Sequence, residues 1–442
     1  MAGDGDPGAG AGGRRERAGK AIRGVALDLT PLRVSRDYRR LWFGQLVSHT
    51  GSQITVVATF FQVYSITHSS AAVGLVGLIQ LVPLIVMSIG GGAFADRLDR
   101  RRIVLASEVA LASVSGLLLV NALLPRPSLV IVYVAAGLVA GLVGIEFPAR
   151  AAMTPRLVGE ELVPSALALG QLMFNATMLV GPALGGIVIA KLGLEWAYGV
   201  DVLSFSAALV AAILLKPMPP ERDEADRQLS GLAAVKEGFA FLKGRRVLQS
   251  TFVIDLIAMI FGMPRALFPV LALDVFRAGA SGVGLLFAAP AAGALLGAAA
   301  SGWVKRVRHQ GRAVIWAVAV WGLAIAAFGA VGAWAPRMFW LALAMLAVAG
   351  AADVISAVFR GTILVVSVPD RLRGRLTAIN ILVVTGGPRL GDFEAGAVAA
   401  LVSPIFSVVS GGLACVVGVG LMVLFAPKLA RYHAGDDELA VA

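Results

Sequence analysis

From residue 41 onward the chain alternates long apolar runs with short polar breaks. An α-helix needs about 20 apolar residues to cross the hydrocarbon core of a bilayer. Twelve runs are of this kind: Leu41–Tyr64, Ala72–Ala95, Ile103–Leu124, Leu129–Phe147, Ser165–Ala190, Ala197–Leu215, Leu248–Val270, Gly282–Val304, Ala313–Trp334, Met338–Val365, Leu376–Val402 and Ile405–Phe425. One such run could be a buried helix of a soluble domain. Twelve in succession predict an all-α membrane protein with twelve transmembrane helices. The first 37 residues differ. Met1–Gly13 is mostly Gly, Ala and Asp, so 1–37 is expected to be a disordered cytoplasmic segment. No apolar core follows the basic run Arg14–Lys20, which argues against a signal peptide.

Composition narrows the class. The 442 residues are 58% apolar and only 15% charged, with a mean hydropathy of +0.83. Soluble domains carry roughly a quarter charged residues, and so apolar a chain could not cover itself with polar groups. A soluble enzyme, a disordered protein and a disulfide scaffold are thereby excluded. The lone Cys415 leaves no internal disulfide and no cysteine metal cluster. The chain has no His-Glu-x-x-His, no phosphate loop and no Gly-x-Ser-x-Gly elbow. Neither metal, cofactor nor enzymatic chemistry is expected.

The net charge of +11 is informative once placed. With the N-terminus in the cytoplasm, 32 of the 38 Lys and Arg fall on cytoplasmic segments. Four, Arg126, Lys191, Arg277 and Arg337, fall on outer loops, and two, Arg265 and Arg389, lie inside apolar runs. This asymmetry predicts that both termini are cytoplasmic. Spread over seven short segments, the charge marks orientation in a lipid bilayer and not a nucleic-acid partner.

The longest inner connection is 216–247. There Leu229, Leu232, Val235, Phe239 and Leu242 recur at helical spacing, with Lys236, Glu237 and Lys243 between them. This predicts an amphipathic helix on the inner membrane face. It divides the chain into a six-helix bundle at 38–215, a second at 248–427 and a cytoplasmic tail at 428–442. The halves match at a fixed offset of 210 residues. Val73-Gly74-Leu75 falls on Val283-Gly284-Leu285, Gly92 on Gly302, Arg102 on Arg312, Arg150 on Arg360, Leu162 on Leu372, Gly181 on Gly391 and Gly186 on Gly396. Two pseudo-symmetric bundles imply a transporter that rocks around a substrate held near the bilayer midplane.

After the second run comes Gly92-Ala93-Phe94-Ala95-Asp96-Arg97-Leu98-Asp99-Arg100-Arg101. Gly92 permits close packing, while Asp96, Arg97, Arg100 and Arg101 can bridge helix ends as a cytoplasmic gate. The segment resembles the loop Gly-x-Leu-Ala-Asp-Arg-x-Gly-Arg-Arg of the major facilitator superfamily, with Asp99 in place of the second Gly. Gly181-Pro182-Ala183-Leu184-Gly185-Gly186 resembles the Gly-Pro-x-x-Gly-Gly element of the superfamily's antiporters, although Thr177 and Ala168 replace its upstream glycines. Finer matches extend over most of the chain. They are Leu41-Trp42-Phe43-Gly44-Gln45, Phe147-Pro148-Ala149-Arg150, Pro369-Asp370-Arg371-Leu372-Arg373-Gly374-Arg375 and Gly386-Gly387-Pro388-Arg389-Leu390-Gly391 followed by Glu394-Ala395-Gly396. They are similar to the enterobactin-exporter-like branch, which includes siderophore exporters and macrolide or multidrug efflux proteins. The resemblance implies the major facilitator fold, a bacterial inner membrane, proton coupling and export.

Ionisable groups inside hydrocarbon cost at least about 2.5 kcal/mol each on insertion scales, so they are paired or face water. Arg389 and Asp392 are three apart on one face and are expected to pair, with Glu394 on another face. Asp392 or Glu394 is expected to take part in proton or substrate handling. Asp255 or Asp353 is the second choice, and because no Arg lies between Leu129 and Glu146, Arg389 or Arg265 is the arginine available to assist proton coupling. Asp255 and Arg265, about 15 Å apart along one helix, should pair with other helices. Asp353 and Arg360 share a face two turns apart. Glu146 and Arg150 form a gate pair or a helix-end salt bridge. Glu108 and Asp201 lie near helix ends, where solvated or capping roles are expected. The first helix carries a polar stripe of Gln45, His49, Ser52, Thr59 and Gln62, expected to face the central cavity. Gly181, Pro182, Gly185 and Gly186 are expected to pack helices.

The reading is a monomeric secondary transporter that exports an amphipathic small molecule, such as a drug or siderophore, against protons. An importer on the same fold, and a non-transporting receptor or lipid-modifying enzyme, are the alternatives.

Overall fold

In the computed structural model, residues 28–95, 98–219, 232–300, 302, 304 and 307–433 are described. Asp96 and Arg97 of the inner-loop motif lie outside them, and Gly92 is described only as part of its helix. Much of the expected disordered segment and part of the linker also lie outside. The described residues contain no strand.

Twelve long helical spans run in sequence. They are α1 (Arg36–Thr67), α2 (Ser70–Ala95), α3 (Arg100–Leu123), α4 (Leu129–Val158), α5 (Val163–Lys191) and α6 (Leu194–Ile213), then α7 (Arg246–Phe261), α8 (Gly279–Ala299), α9 (Gln310–Trp334), α10 (Phe339–Ser367), α11 (Asp370–Leu401) and α12 (Pro404–Phe425). Ten spans among the described residues are apolar enough to cross a membrane by length and composition. The other two, α1 and α11, have 32 residues each and carry the polar stripe and the densest charge cluster. Ser48, Thr55, Thr59 and Gln62 of α1 and Asp392 of α11 are buried against other helices. Trp334 and Trp340, on either side of the α9–α10 turn, are 85% and 75% exposed, a placement that a bilayer interface favours.

Local chemistry explains where helices start and stop. Ser35 caps α1 by accepting from the Tyr38 N–H, and Asp99 caps α3 by accepting from Arg101 N–H. Asp99 also accepts from Met218 N–H, so the residue that departs from the family motif ties the start of α3 to the chain leaving α6. Pro264 ends α7 as a regular helix, because proline removes a donor and clashes with the preceding turn. The freed Gly262 carbonyl accepts from the Trp321 indole at 2.8 Å. The chain then continues through a 3-10 turn at Arg265–Leu267 and a π turn at Leu271–Val275.

Packing repeats between the halves. In each, the first helix meets the sixth and fifth, the second meets the fourth, and the third meets the fourth and sixth. The halves join through α2 on α11 and through α8 on α5. These joins are built on the offset-matched glycines. A side chain at Gly74 would strike the backbone of Gly396 and Asp392, and one at Gly284 would strike Gly186 and Pro182. Only glycine allows such backbone approach. Nearby, Phe60 meets Phe287 edge-on at 5.5 Å, and the Tyr64 hydroxyl donates to Asp274. Tyr64 and Asp274 are themselves 210 residues apart. These contacts lie toward the end of the bundle that carries the α1–α2 and α7–α8 turns. Toward the end that carries the termini, side chains at Gly90 and Gly170 would meet nothing within 4 Å.

The linker helix Leu232–Leu242 lies on α11, where Arg375 donates to Glu237 and a side chain at Gly238 would strike Ile379. Leu242 is buried, whereas Phe239 is exposed. Leu229 lies outside the described residues.

The two kinds of glycine contact should respond differently. Gly293 packs on the Ala347 backbone inside one half, so G293V is expected to lower the melting temperature. G74V wedges the halves apart instead. It should raise labelling of a cysteine at Phe287 by an impermeant maleimide several-fold, with little change in melting temperature.

Candidate functional site

Three arginine-centred clusters occupy the bundle interior, and a fourth polar site has no arginine. In the first cluster, Arg150 on α4 donates to Glu146, one turn earlier, and to Glu108 on α3. Its second terminal nitrogen lies 3.1 Å from His49 Nε2 on α1. Glu108 and Glu146 are both buried. Glu108 therefore differs from its expected solvated or capping role. Helix α3 places it well inside the bundle, where a carboxylate needs a partner in place of water, and Arg150 supplies it. The expected pair is in fact a four-residue cluster spanning three helices.

Arg360 of α10, the repeat partner of Arg150, holds a second cluster. Its guanidinium lies 2.8 Å from Asp255 on α7 and 3.9 Å from Asp353 on its own helix. The same-face spacing of Asp353 and Arg360 yields only the longer contact, because Asp255 from α7 occupies the closer position.

A third cluster sits under the α2–α11 crossing. Arg265, released from helical direction by Pro264, reaches Asp392 on α11 at 2.6 Å, and Asp392 is fully buried. This corrects the expected Arg389–Asp392 pair. Arg389 instead donates back to the Thr385 carbonyl one turn earlier. Proline position was the available signal, since a broken α7 can aim Arg265 at a neighbour. Glu394 is half-buried on the following turn.

Asp201 on α6 is the fourth site. It is 1% exposed and accepts from Thr55 and Ser115, each at 2.7 Å. Its expected solvated or capping role is thus also corrected: hydroxyls from α1 and α3 replace water. The polar stripe of α1 is split accordingly. Ser52 and Thr59 turn toward Asp201 and Tyr198, and Gln62 accepts from the Tyr198 hydroxyl at 2.6 Å. Gln62 is 1% exposed and Thr59 6%, so these two do not line an open cavity. Gln45 is half-buried, and His49 turns to Arg150. Gly44 and Gly51 held the missed signal. They press on Ala211 and on Ser204 with Asp201, so this face of α1 packs closely on α6.

At the end that carries the termini, Arg101 donates to the Ala212 and Ile213 carbonyls at 3.0 and 2.6 Å. It thereby satisfies the C-terminus of α6, where a cation also suits the helix dipole. Arg100 donates to the Ala152 carbonyl at 3.1 Å. These contacts tie helices of the first half together. In α5, Gly181 approaches Gln53, Gly185 approaches Ile54, and Gly186 and Pro182 meet Gly284. No group of His, Cys, Asp and Glu able to hold a metal occurs among the described residues.

The family described as transmembrane secretion effector (MFS_3) matches residues 26–438. An enterobactin exporter, EntS, of Citrobacter koseri is 28% identical over 92% of this chain and 96% of its own length. The enterobactin exporter of an Escherichia coli strain is 26% identical, over 94% and 98%. Among solved structures, a POT family transporter in complex with a thioalcohol conjugated peptide aligns with a TM-score of 0.71 at 13% identity, over 89% of this chain and 96% of its own. A bacterial homologue of the iron transporter ferroportin in an inward-facing state aligns with a TM-score of 0.65 at 16% identity, over 89% and 98%.

The buried ion pairs should obey partner logic. Removing one member of a buried pair costs about 3–5 kcal/mol because it strands the other charge. R360Q is therefore expected to lower the melting temperature sharply, and D255N in the same chain to recover most of the loss. A double variant as unstable as R360Q would show that Asp255 and Arg360 do not compensate each other.

Proposed function

Because the chain belongs to the transmembrane secretion effector family of the major facilitator superfamily, and is a multi-pass inner-membrane transporter and not an enzyme, we propose that it exports an amphipathic, siderophore-type molecule in exchange for protons. The termini face the cytoplasm in this reading, as the 32 to 4 distribution of basic residues favours. In this reading the halves are joined on the outer side by the glycine crossings, Phe60–Phe287 and Tyr64–Asp274. Export follows by rocking. Substrate enters from the cytoplasm, the crossings part, and the inner ends close.

The observation that carries proton coupling is the Arg150 cluster. It sets two buried carboxylates against one guanidinium, with an imidazole beside them. Two carboxylates on one cation can take up a proton without leaving a bare charge in the membrane. Losing that proton restores a negative cluster, which Arg150 and His49 hold across α1, α3 and α4. Helix α1 also contacts α8 of the other half, so a change at His49 bears on the seam. Asp392 or Glu394, and after them Asp255 or Asp353, were the carboxylates favoured by position in the sequence. Asp392 pairs with Arg265, just beyond α7, and Asp255 with Arg360 of α10. The Arg360 cluster also sets two carboxylates against one guanidinium, but the imidazole of His49 beside Arg150 makes Glu108 and Glu146 the stronger assignment.

Flux of enterobactin from proteoliposomes under an imposed pH gradient tests both parts. Wild type should move it against its gradient. E108Q and E146Q should lose at least about tenfold of the gradient-driven rate, since each removes the proton site, while keeping substrate exchange at zero gradient. Full gradient dependence in both variants would remove the cluster from coupling. No gradient-driven flux in wild type would contradict the exporter reading.

A further inference from the structure

The third cluster is unbalanced, and the imbalance has a direction. Arg265 is matched by Asp392 at 2.6 Å. Arg389, also near Asp392, forms no ion pair among the described residues, and only the Thr385 carbonyl accepts from its terminal nitrogen. The Nε groups of Arg265 and Arg389 are buried and unpartnered. The surrounding elements offer no second carboxylate to this pair. Helix α2 has no titratable residue from Ser70 to Gly91, and α12 has only Cys415. Asp255 of α7 is held by Arg360, Glu237 of the linker helix by Arg375, and Glu394 makes no ion pair with either arginine. Two guanidiniums therefore share one carboxylate.

This excess cannot titrate away, because arginine stays protonated in proteins. The other arginine clusters are the reverse, with two carboxylates for Arg150 and two for Arg360. Nor does the fold require the charges. At the offset of 210, Arg265, Arg389 and Asp392 fall on Thr55, Leu179 and Pro182. The glycines of the same crossing, in contrast, are matched in both halves. Arg389 also lies at the middle of the apolar run Leu376–Val402, the depth at which transporters of this architecture hold substrate.

We propose that Arg389, with Arg265 beside it, forms an anion subsite that receives a negatively charged oxygen of the transported molecule, such as a carboxylate or phenolate. The proposal rests on the exporter reading and names the chemical class of its substrate. The anion would complete the neutralisation that Asp392 begins. A planar guanidinium fork suits a carboxylate and is not reproduced by lysine. Asp392 competes with the substrate for Arg265, so it limits affinity and favours release.

Binding of 1-naphthoate and its neutral analogue 1-naphthamide to the purified full-length protein, measured by calorimetry, tests this. Wild type should prefer the anion by roughly tenfold, the scale of one charge-assisted hydrogen bond. R389Q should abolish the preference while amide binding stays, and R389K should keep part of it. D392N should strengthen naphthoate binding several-fold, an effect that a merely structural ion pair would not produce. Equal binding of the two probes by wild type, an undiminished preference in R389Q, or weaker naphthoate binding in D392N would each overturn the proposal. If R389Q does not fold, R389K and D392N decide alone. Binding is read without a gradient, so failure here leaves gradient-driven export intact, and absence of export leaves the binding preference standing.

Discussion

Two backbone-on-backbone crossings carry the architecture: Gly74 of α2 on Gly396 of α11, and Gly284 of α8 on Gly186 of α5. They are equivalent under the internal repeat, so the halves meet along a pseudo-twofold seam. In hydrocarbon there is little solvent-driven gain in pressing apolar helices together, and close van der Waals approach supplies the association. A glycine crossing gives that approach over a small area. Small area is what a reversible contact between rigid bodies requires. The same crossing also fixes where the third arginine cluster lies, since side chains at Gly74 and Gly77 would strike the backbone or Cβ of Asp392 and Arg389.

Around this seam the charges are divided unequally. The first half concentrates carboxylates, with Glu108 and Glu146 facing the single cation Arg150. The second half carries Arg265 and Arg389 against Asp392 under the crossing. A negative cluster suits proton exchange, and a positive one suits an anion. The Arg150 cluster and the positive cluster lie in different halves, so moving the halves changes the field that each of these two sees. Hydroxyls at Thr55 and Ser115 hold Asp201 without any cation, so it belongs to the packing of α1 on α6.

Much of this was legible in the order of residues. Apolar runs marked the twelve spans, and the offset of 210 paired Gly74 with Gly284 and Gly186 with Gly396 without saying what they touch; the structure crosses them between the halves. Charge partners were less legible. Spacing along one helix pointed to Arg389–Asp392 and Asp353–Arg360, yet the closer partners were Arg265, from the turn after α7, and Asp255, from α7. Within a helix only neighbours three or four residues apart can be inferred, whereas a buried charge takes whichever partner the tertiary fold delivers. Pro264 decides one such delivery by turning Arg265 out of the helical path. Glu108 and Asp201 were misjudged for a related reason: distance from a helix end in sequence does not measure depth when helices extend past the apolar run.

The central claim is that a proton at the Arg150 cluster governs which end of the seam is closed. Spin labels on the two halves, one pair across the outer turns and one across the cytoplasmic ends, read both ends by pulsed electron resonance in nanodiscs. Between pH 8 and pH 5 the account predicts opposite changes in the two distance distributions, one lengthening as the other shortens, and their loss in E108Q. Distributions that do not respond to pH, or that respond unchanged in E108Q, would contradict it.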